Sequence, residues 1–227
     1  GNFYTGSFIN VRGINGKTKA YMVSYQKNEA LNFINHKFRL TIFLSLIFLI
    51  LTVILLSIIF SNNNRLRYLA NNDQLTQISN RRHLTSVLER EYERNQRYDS
   101  TFSFIIFDID HFKEVNDNYG HDVGDNILRE MSSLVENNIR KNDYFGRWGG
   151  EEFVVIAAAA DIEVAEKFAE KLRKIIEEHN FMDKRNITAS FGAAEISKNE
   201  NIDDLIKRAD DALYRAKEKG RNRVEVD

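Results

Sequence analysis

Two acidic pairs stand where acids are costly. The run Phe102 to Ile109, FSFIIFDI, is apolar enough to be a buried strand, and it delivers Asp108, Ile109 and Asp110 at its end. Carboxylates leaving an apolar strand lose hydration unless a partner compensates, and a hard cation is one such partner. The second pair, Glu151 and Glu152, follows Gly149 and Gly150 at the head of another apolar run. Glycines permit the positive φ of a tight hairpin and let backbone and substrate approach closely. If the two strands are neighbours, the acids converge. Asp108 and Glu151 then make an oxygen-ligand site of the kind Mg²⁺ uses, with few protein carboxylates completed by substrate phosphates. The alternative is a set of ordinary strand-end turn acids, and on spacing alone both stand.

Two further features bear on that choice. Lys217 and Arg221 are four apart near the end of the last predicted helix, where they can share a face. Arginine is shaped for forked phosphate contacts, although a solvated helix face carries the same residues. Asn116-Asp117 and Gly124-Asp125 read as turns. They also supply an amide and a carboxylate suited to a guanine edge. A carboxylate at Asp125 accepts from the ring N–H and exocyclic amine, a donor pair that adenine lacks, and the Asn116 amide bonds the remaining atoms. Taken together, these residues describe an enzyme that handles phosphoesters.

The elements that must position them follow from hydrophobic spacing. A helix is predicted over Asn80 to Arg97, a strand over Phe102 to Ile109 and a helix over Gly124 to Arg140. Strands Asp143 to Arg147 and Glu152 to Ala158 flank the Gly149-Gly150 turn. A helix over Ile162 to His179, a strand over Ile187 to Ala194, a helix over Ile202 to Lys219 and a strand over Arg223 to Val226 complete an α/β (α+β) domain at 73–227. The 227 residues carry 32 Lys and Arg against 33 Asp and Glu, a net charge of -1, so no chain-wide basic field points to nucleic acid. With no Cys, disulfides, thiolate metal sites and a Cys nucleophile are excluded.

Residues 40–60, LTIFLSLIFLILTVILLSIIF, hold no charge and are long enough to cross a bilayer. The run is too long for a signal-peptide core and lacks a cleavage pattern after it, so a transmembrane helix is expected. Lys37 and Arg39 flank one end, and Arg65, Arg67, Arg81 and Arg82 the other, a bias that puts the C-terminal part in the cytoplasm. Residues 1–39 contain an Asn15-Gly16 turn signal and the strand-like KAYMVSYQ, and read as the remnant of an extracytoplasmic sensor. Residues 61–72, with Leu66 and Leu69 at helical spacing, read as a helical connector.

At these residues the sequence resembles the GGDEF-domain diguanylate cyclases. The signature stands as Gly149-Gly150-Glu151-Glu152-Phe153, the GGEEF form. Around it, in the family's order, are Asp73-Gln74-Leu75-Thr76 with Asn80-Arg81-Arg82, FDIDHFKEVND at Phe107 to Asp117, GHDVGD at Gly120 to Asp125, and ADDALYRAKEKGRNRV at Ala209 to Val224. The resemblance implies a nucleotidyl-cyclase-like palm fold with a mostly antiparallel sheet, condensing two GTP into cyclic di-GMP with release of pyrophosphate. It implies Mg²⁺, or Mn²⁺ in its place, on Asp108, Glu151 and the Ile109 carbonyl. Glu152 then assists metal binding or deprotonation of the 3′-hydroxyl. It further implies guanine recognition by Asn116 and Asp125, phosphate contacts by Lys217 and Arg221, and a phosphate-cradling turn at Phe112 and Lys113. Each domain holds one GTP, so a homodimer is expected. Arg140 and Asp143 form an RxxD pair at the distance before the signature where the family carries an inhibitory product site.

Gln77 stands where the family commonly has Gly, Trp148 where it has Tyr or Phe, and Phe191 where a smaller apolar residue is frequent. None removes a ligand. The competing readings are an inactive GGDEF domain serving as a cyclic di-GMP or GTP receptor, and a membrane-anchored interaction module whose acids are structural. Retention of Glu151 and Glu152 speaks against the first, and the second would show no nucleotide binding.

Overall fold

The computed structural model describes residues 2–98, 100–182 and 187–227, and the chain divides into two units, one up to Asn64 and one from Arg65 onward. In the first unit, β1 (Tyr4–Arg12) and β2 (Thr18–Lys27) pair antiparallel from Tyr4 opposite Lys27. The turn between them is closed by the Gly16 N–H donating to the Gly13 carbonyl at 2.9 Å. Helix α1 (Glu29–Asn71) is capped by Asn28, whose side-chain oxygen accepts from the Leu31 N–H at 3.0 Å. The apolar run at 40–60 lies within it. Its mean hydropathy of 3.2, with none of that window buried, makes it long and apolar enough to cross a membrane. The helix continues unbroken through residues 61–71.

In the second unit, a six-stranded sheet runs in the order β3 (Ser79–Asn80), β5 (Tyr144–Gly149), β6 (Glu152–Ala158), β4 (Phe102–Ile109), β7 (Ala189–Glu195), β8 (Val224–Val226). The four inner strands are antiparallel, and the short outer strands β3 and β8 add parallel. All of β4 is buried, because helices cover both faces of the sheet. Strand alternation splits its side chains. Ile105, Phe107 and Ile109 pack toward α4 (His121–Glu136) and α5 (Ile162–Glu178), while Phe104 and Ile106 pack toward α2 (Arg81–Tyr98) and α6 (Ile202–Glu218). Phe107 is ringed by stacked Phe191, Phe153 and Phe145, with centroids 4.7, 5.3 and 6.3 Å away. Phe191 therefore spends its extra bulk inside this stack. Trp148 meets Phe104 edge-on at 5.7 Å and lies under the Arg81 guanidinium at 4.7 Å.

Most element boundaries match the sequence reading to within one or two residues, the ordinary fraying of element ends. The exception is the segment after β4. It folds as α3 (Phe112–Tyr119) followed by α4, where the sequence predicted one helix from Gly124 to Arg140. Phe112 and Val115 are buried and give α3 an apolar face, and Gly120, at φ 84, separates the two helices. Arg140 lies beyond the end of α4.

Candidate active site

The site begins at the end of β4. Asp108 faces Glu152 of β6 on one side and Ser190 of β7 on the other. The Ile109 N–H donates to the Glu151 carbonyl at 3.4 Å, which extends the β4–β6 ladder into the signature turn. Gly150 takes φ 50 in that turn. Asp108 and the Glu151-Glu152 pair thus meet at one end of the sheet, as the sequence predicted for neighbouring strands. Lys217 Nζ stands 3.0 Å from the Asp108 carboxylate, whose side chain is 11% exposed. Burial pushes the Asp108 carboxyl up, Lys217 pulls it down and Glu151 and Glu152 push it up, and together they leave it at about 6. Lys217 reaches this position because α6 lies directly on β7: a Cβ at Gly192 would run into the Ala209 carbonyl and the Leu213 N–H. Beside the acids, a cavity of about 350 Å³ is lined by Arg81, Trp148, Glu152, Asp210 and Lys217.

The donor chemistry fits a hard divalent cation. Asp108 and Glu151 supply hard oxygens, and the burial and carboxylate repulsion that raise the Asp108 carboxyl are what a cation offsets. The Ile109 carbonyl, the expected backbone ligand, ends β4 directly after Asp108. Among the described residues no three His, Asp or Glu side chains are grouped closely enough to hold a metal unaided. Completion by phosphate and water oxygens is the Mg²⁺ pattern.

The two guanine-reading candidates are brought together by packing of α3 on α4. The Asn116 amide oxygen lies against Gly124, where a Cβ would overlap it, and the Phe112 ring closes the same spot. Asp125 is the next residue along α4. Phe112 and Lys113 differ from expectation: they form the first turn of a helix, with Phe112 turned into the core and Lys113 exposed. Arg221 differs too. Helix α6 ends at Glu218, Gly220 takes φ 109, and Arg221 sits in the following loop at φ 63, so it shares no helix face with Lys217. Its N–H returns to the Ala216 carbonyl at 3.0 Å.

Arg140 and Asp143 stand apart, before β5, at the opposite end of that strand from the signature turn. The Asp143 N–H donates to the Arg140 carbonyl at 3.1 Å, and the Arg140 guanidinium lies 5.9 Å from the Phe168 ring. Burial pushes the Asp143 carboxyl up, against the backbone and charge of Arg140 and the Ala158 backbone, which pull it down.

One contact went unread in the sequence. Arg147 of β5 donates from Nε to the Gly150 carbonyl at 2.8 Å and from Nη1 to Asp73 Oδ1 at 3.1 Å. Asp73 also accepts from the Thr76 N–H at 2.9 Å and the Thr76 hydroxyl at 2.8 Å, closing the turn after α1. In that turn Gln77 holds φ 63, which is why glycine suits the position. The available signal was a lone arginine pointing along a strand into the signature.

Residues 70–223 match the family described as diguanylate cyclase, GGDEF domain. Among curated proteins, the chain is 43% identical over 123 residues to diguanylate cyclase DgcM of Escherichia coli, covering 54% of this chain and 30% of that protein. It is 44% identical over 128 residues to diguanylate cyclase VdcA of Vibrio cholerae, covering 54% and 38%. The match thus spans about a third of the length of these relatives. Among solved structures, the coiled coil and GGDEF domain of DgcB from Caulobacter crescentus, in complex with c-di-GMP, superposes with a TM-score of 0.74 at 28% identity, covering 78% of this chain and 95% of that one. The active GGEEF domain of a diguanylate cyclase from Vibrio cholerae superposes with a TM-score of 0.62 at 36% identity, covering 65% and 96%. With its sheet order, its intact signature acids and this match over more than half its length, the chain belongs to the GGDEF domain family of diguanylate cyclases.

Proposed function

We propose that this chain is a diguanylate cyclase that condenses two GTP molecules into cyclic di-GMP. The observation that carries the reading is Asp108 at one sheet end, ion-paired with Lys217 and under the influence of Glu151 and Glu152, with Asn116 packed against Gly124, the residue before Asp125, on the helices that follow. Asn116 and Asp125 hold the guanine edge. Lys217 and Arg221 grip the phosphates, assisted by the first-turn N–H groups of α3 at Phe112 and Lys113, which lack intrahelical acceptors. Asp108, Glu151 and the Ile109 carbonyl would hold Mg²⁺, which when bound polarises the α-phosphate and lowers the 3′-hydroxyl pKa. Glu152 takes the hydroxyl proton. In each of two condensations a 3′-O–P bond forms and the bond to pyrophosphate breaks, so two domains must face each other as a homodimer.

The apolar segment at 40–60 anchors the protein in the cell membrane, the helical stretch at 61–71 connects it to the catalytic domain, and that domain lies in the cytoplasm, where GTP is. Residues 1–39 belong to an extracytoplasmic sensing region. Arg140 and Asp143 bind the product and give feedback inhibition. The test is the full chain in lipid nanodiscs, incubated with Mg²⁺ and either GTP or ATP and followed by chromatography. Cyclic di-GMP from GTP alone, lost in Glu151→Gln, is expected. No product even when a fused coiled coil enforces dimerisation would overturn the cyclase and favour a nucleotide receptor.

A further inference from the structure

The strand that delivers Asp108 delivers a second acid that the chemistry above does not use. Asp110 is 5% exposed, and three neutral donors reach it: the Ser190 hydroxyl at 2.6 Å, the Thr188 hydroxyl at 2.7 Å and the Asn222 N–H at 3.1 Å. A carboxylate held only by neutral groups is an expensive way to stabilise a fold, so its contacts point to another role. Asn222 is the residue after Arg221, and both hold left-handed backbone, at φ 63 and φ 47. Consecutive non-glycine residues in that region persist only where surrounding groups over-determine them.

Here the surroundings do so from two sides. The Asn222 backbone is fixed by Asp110. Its side-chain oxygen accepts from Arg173 at 2.8 Å, and its amide nitrogen donates to Glu177 at 2.7 Å. Arg173, 11% exposed, is itself forked onto Glu170 at 2.8 and 2.9 Å. The following residue, Arg223, accepts from the Phe191 N–H through its carbonyl at 2.9 Å. The Arg221 side chain is left to solvent at this corner of the loop, as is that of Arg223, whose Nε donates back to the Arg221 carbonyl at 3.3 Å.

We infer that Asp110 and Asn222 are positioning residues that clamp the left-handed loop and aim Arg221 at the triphosphate of the nucleotide. The inference rests on the reading of Arg221 as a phosphate contact and extends it to residues that touch no substrate. The clamp acts on phosphate binding and leaves guanine binding alone, because Asn116 and Asp125 stand on separate helices. A charge is useful in this role, since charge-assisted bonds to a backbone N–H are the stronger kind.

The experiment measures equilibrium binding of guanosine 5′-(α,β-methylene)triphosphate, which cannot be cleaved, and of GMP to the full chain in nanodiscs with Mg²⁺. Asp110→Asn is expected to weaken the triphosphate about tenfold and leave GMP unchanged. Asn222→Gly, which accepts the backbone but releases Arg173 and Glu177, is expected to shift binding the same way, and it guards against misfolding of the buried variant. Combined with Arg221→Ala, neither is expected to add to the loss from Arg221→Ala alone. Hydrogen exchange at the Asn222 amide is expected to speed up in Asp110→Asn. Equal weakening of both ligands, no weakening of the triphosphate, or losses that multiply in the double variants would overturn the clamp while leaving the cyclase reading intact. Absence of nucleotide binding by the unaltered chain would overturn both.

Discussion

Arg147 donates to Asp73 at 3.1 Å while its other arm holds the Gly150 carbonyl, so one side chain joins the turn that follows α1 to the turn that presents Glu151. Removing it breaks both contacts at once. Arg147→Met is expected to cost about 1–3 kcal/mol of stability and to lower cyclic di-GMP formation more than the melting shift alone explains. Arg147→Lys restores the charge without the fork and is expected to recover stability better than turnover. Thermal melting and product formation on the same samples check both.

Asp73 makes part of this linkage dependent on pH. Burial works against its charge, but hydrogen bonds from the Thr76 N–H, the Thr76 hydroxyl and Arg147 outweigh it and hold the carboxyl below its ordinary value. A depressed folded value means stability that is full above the unfolded value, near pH 4, and lost as pH falls through the folded one. Asp73→Asn is therefore expected to melt below the unaltered chain at neutral pH. The gap should stay constant down to about pH 4 and close below it. A gap that widened on acidification would contradict this account.

Asp108 is expected to show the opposite balance between stability and chemistry. Its burial beside Glu151 and Glu152 favours the uncharged carboxyl, so the ionised form is a strain on the empty domain. Asp108→Asn should raise the melting temperature near pH 7 by the equivalent of roughly 1–3 kcal/mol while abolishing product formation. Calorimetry of the nucleotide-free chain, paired with the chromatographic assay, separates the two effects.

Gly124 fixes the Asn116 amide by leaving it room. In Gly124→Ala the new methyl displaces that amide within a packed pair of helices, and the contact with Phe112 closes the easy escape. Discrimination of GTP over ATP is expected to fall by about 10- to 100-fold, the worth of one good base-reading pair, with a smaller change in melting temperature. Competition between the two nucleotides measures it.

The central strands and the amphipathic helices were legible because their apolar spacing is unambiguous: β4 runs from Phe102 to Ile109 in sequence and structure alike. The convergence of Asp108 with Glu151 and Glu152 was legible as a condition on strand adjacency, and the β4–β6 register meets it. Helix α3 was hidden because Asn116-Asp117 reads as a turn, although Phe112 and Val115 carry a helical face. Strand β1 was passed over, since only its partner has a clear apolar rhythm. The place of Arg221 depended on where Gly220 ends α6, a matter of one residue that spacing does not resolve. The long-range partners of Asp73, Asp110 and Asn222 lie from 45 to 112 positions away, and no local pattern signals a contact of that span.

The Lys217 ammonium, resting 3.0 Å from Asp108, gives the empty domain a counter-ion that is covalently its own. An acidic pocket that relied on dissolved cations for neutrality would fold more or less well as their concentration changed. Here the tethered charge offsets part of the cost of burying the carboxylate from within the fold itself. The dependence of the fold on the ionic supply is thereby reduced, though not removed, since the Asp108 carboxyl stays raised with Lys217 in place.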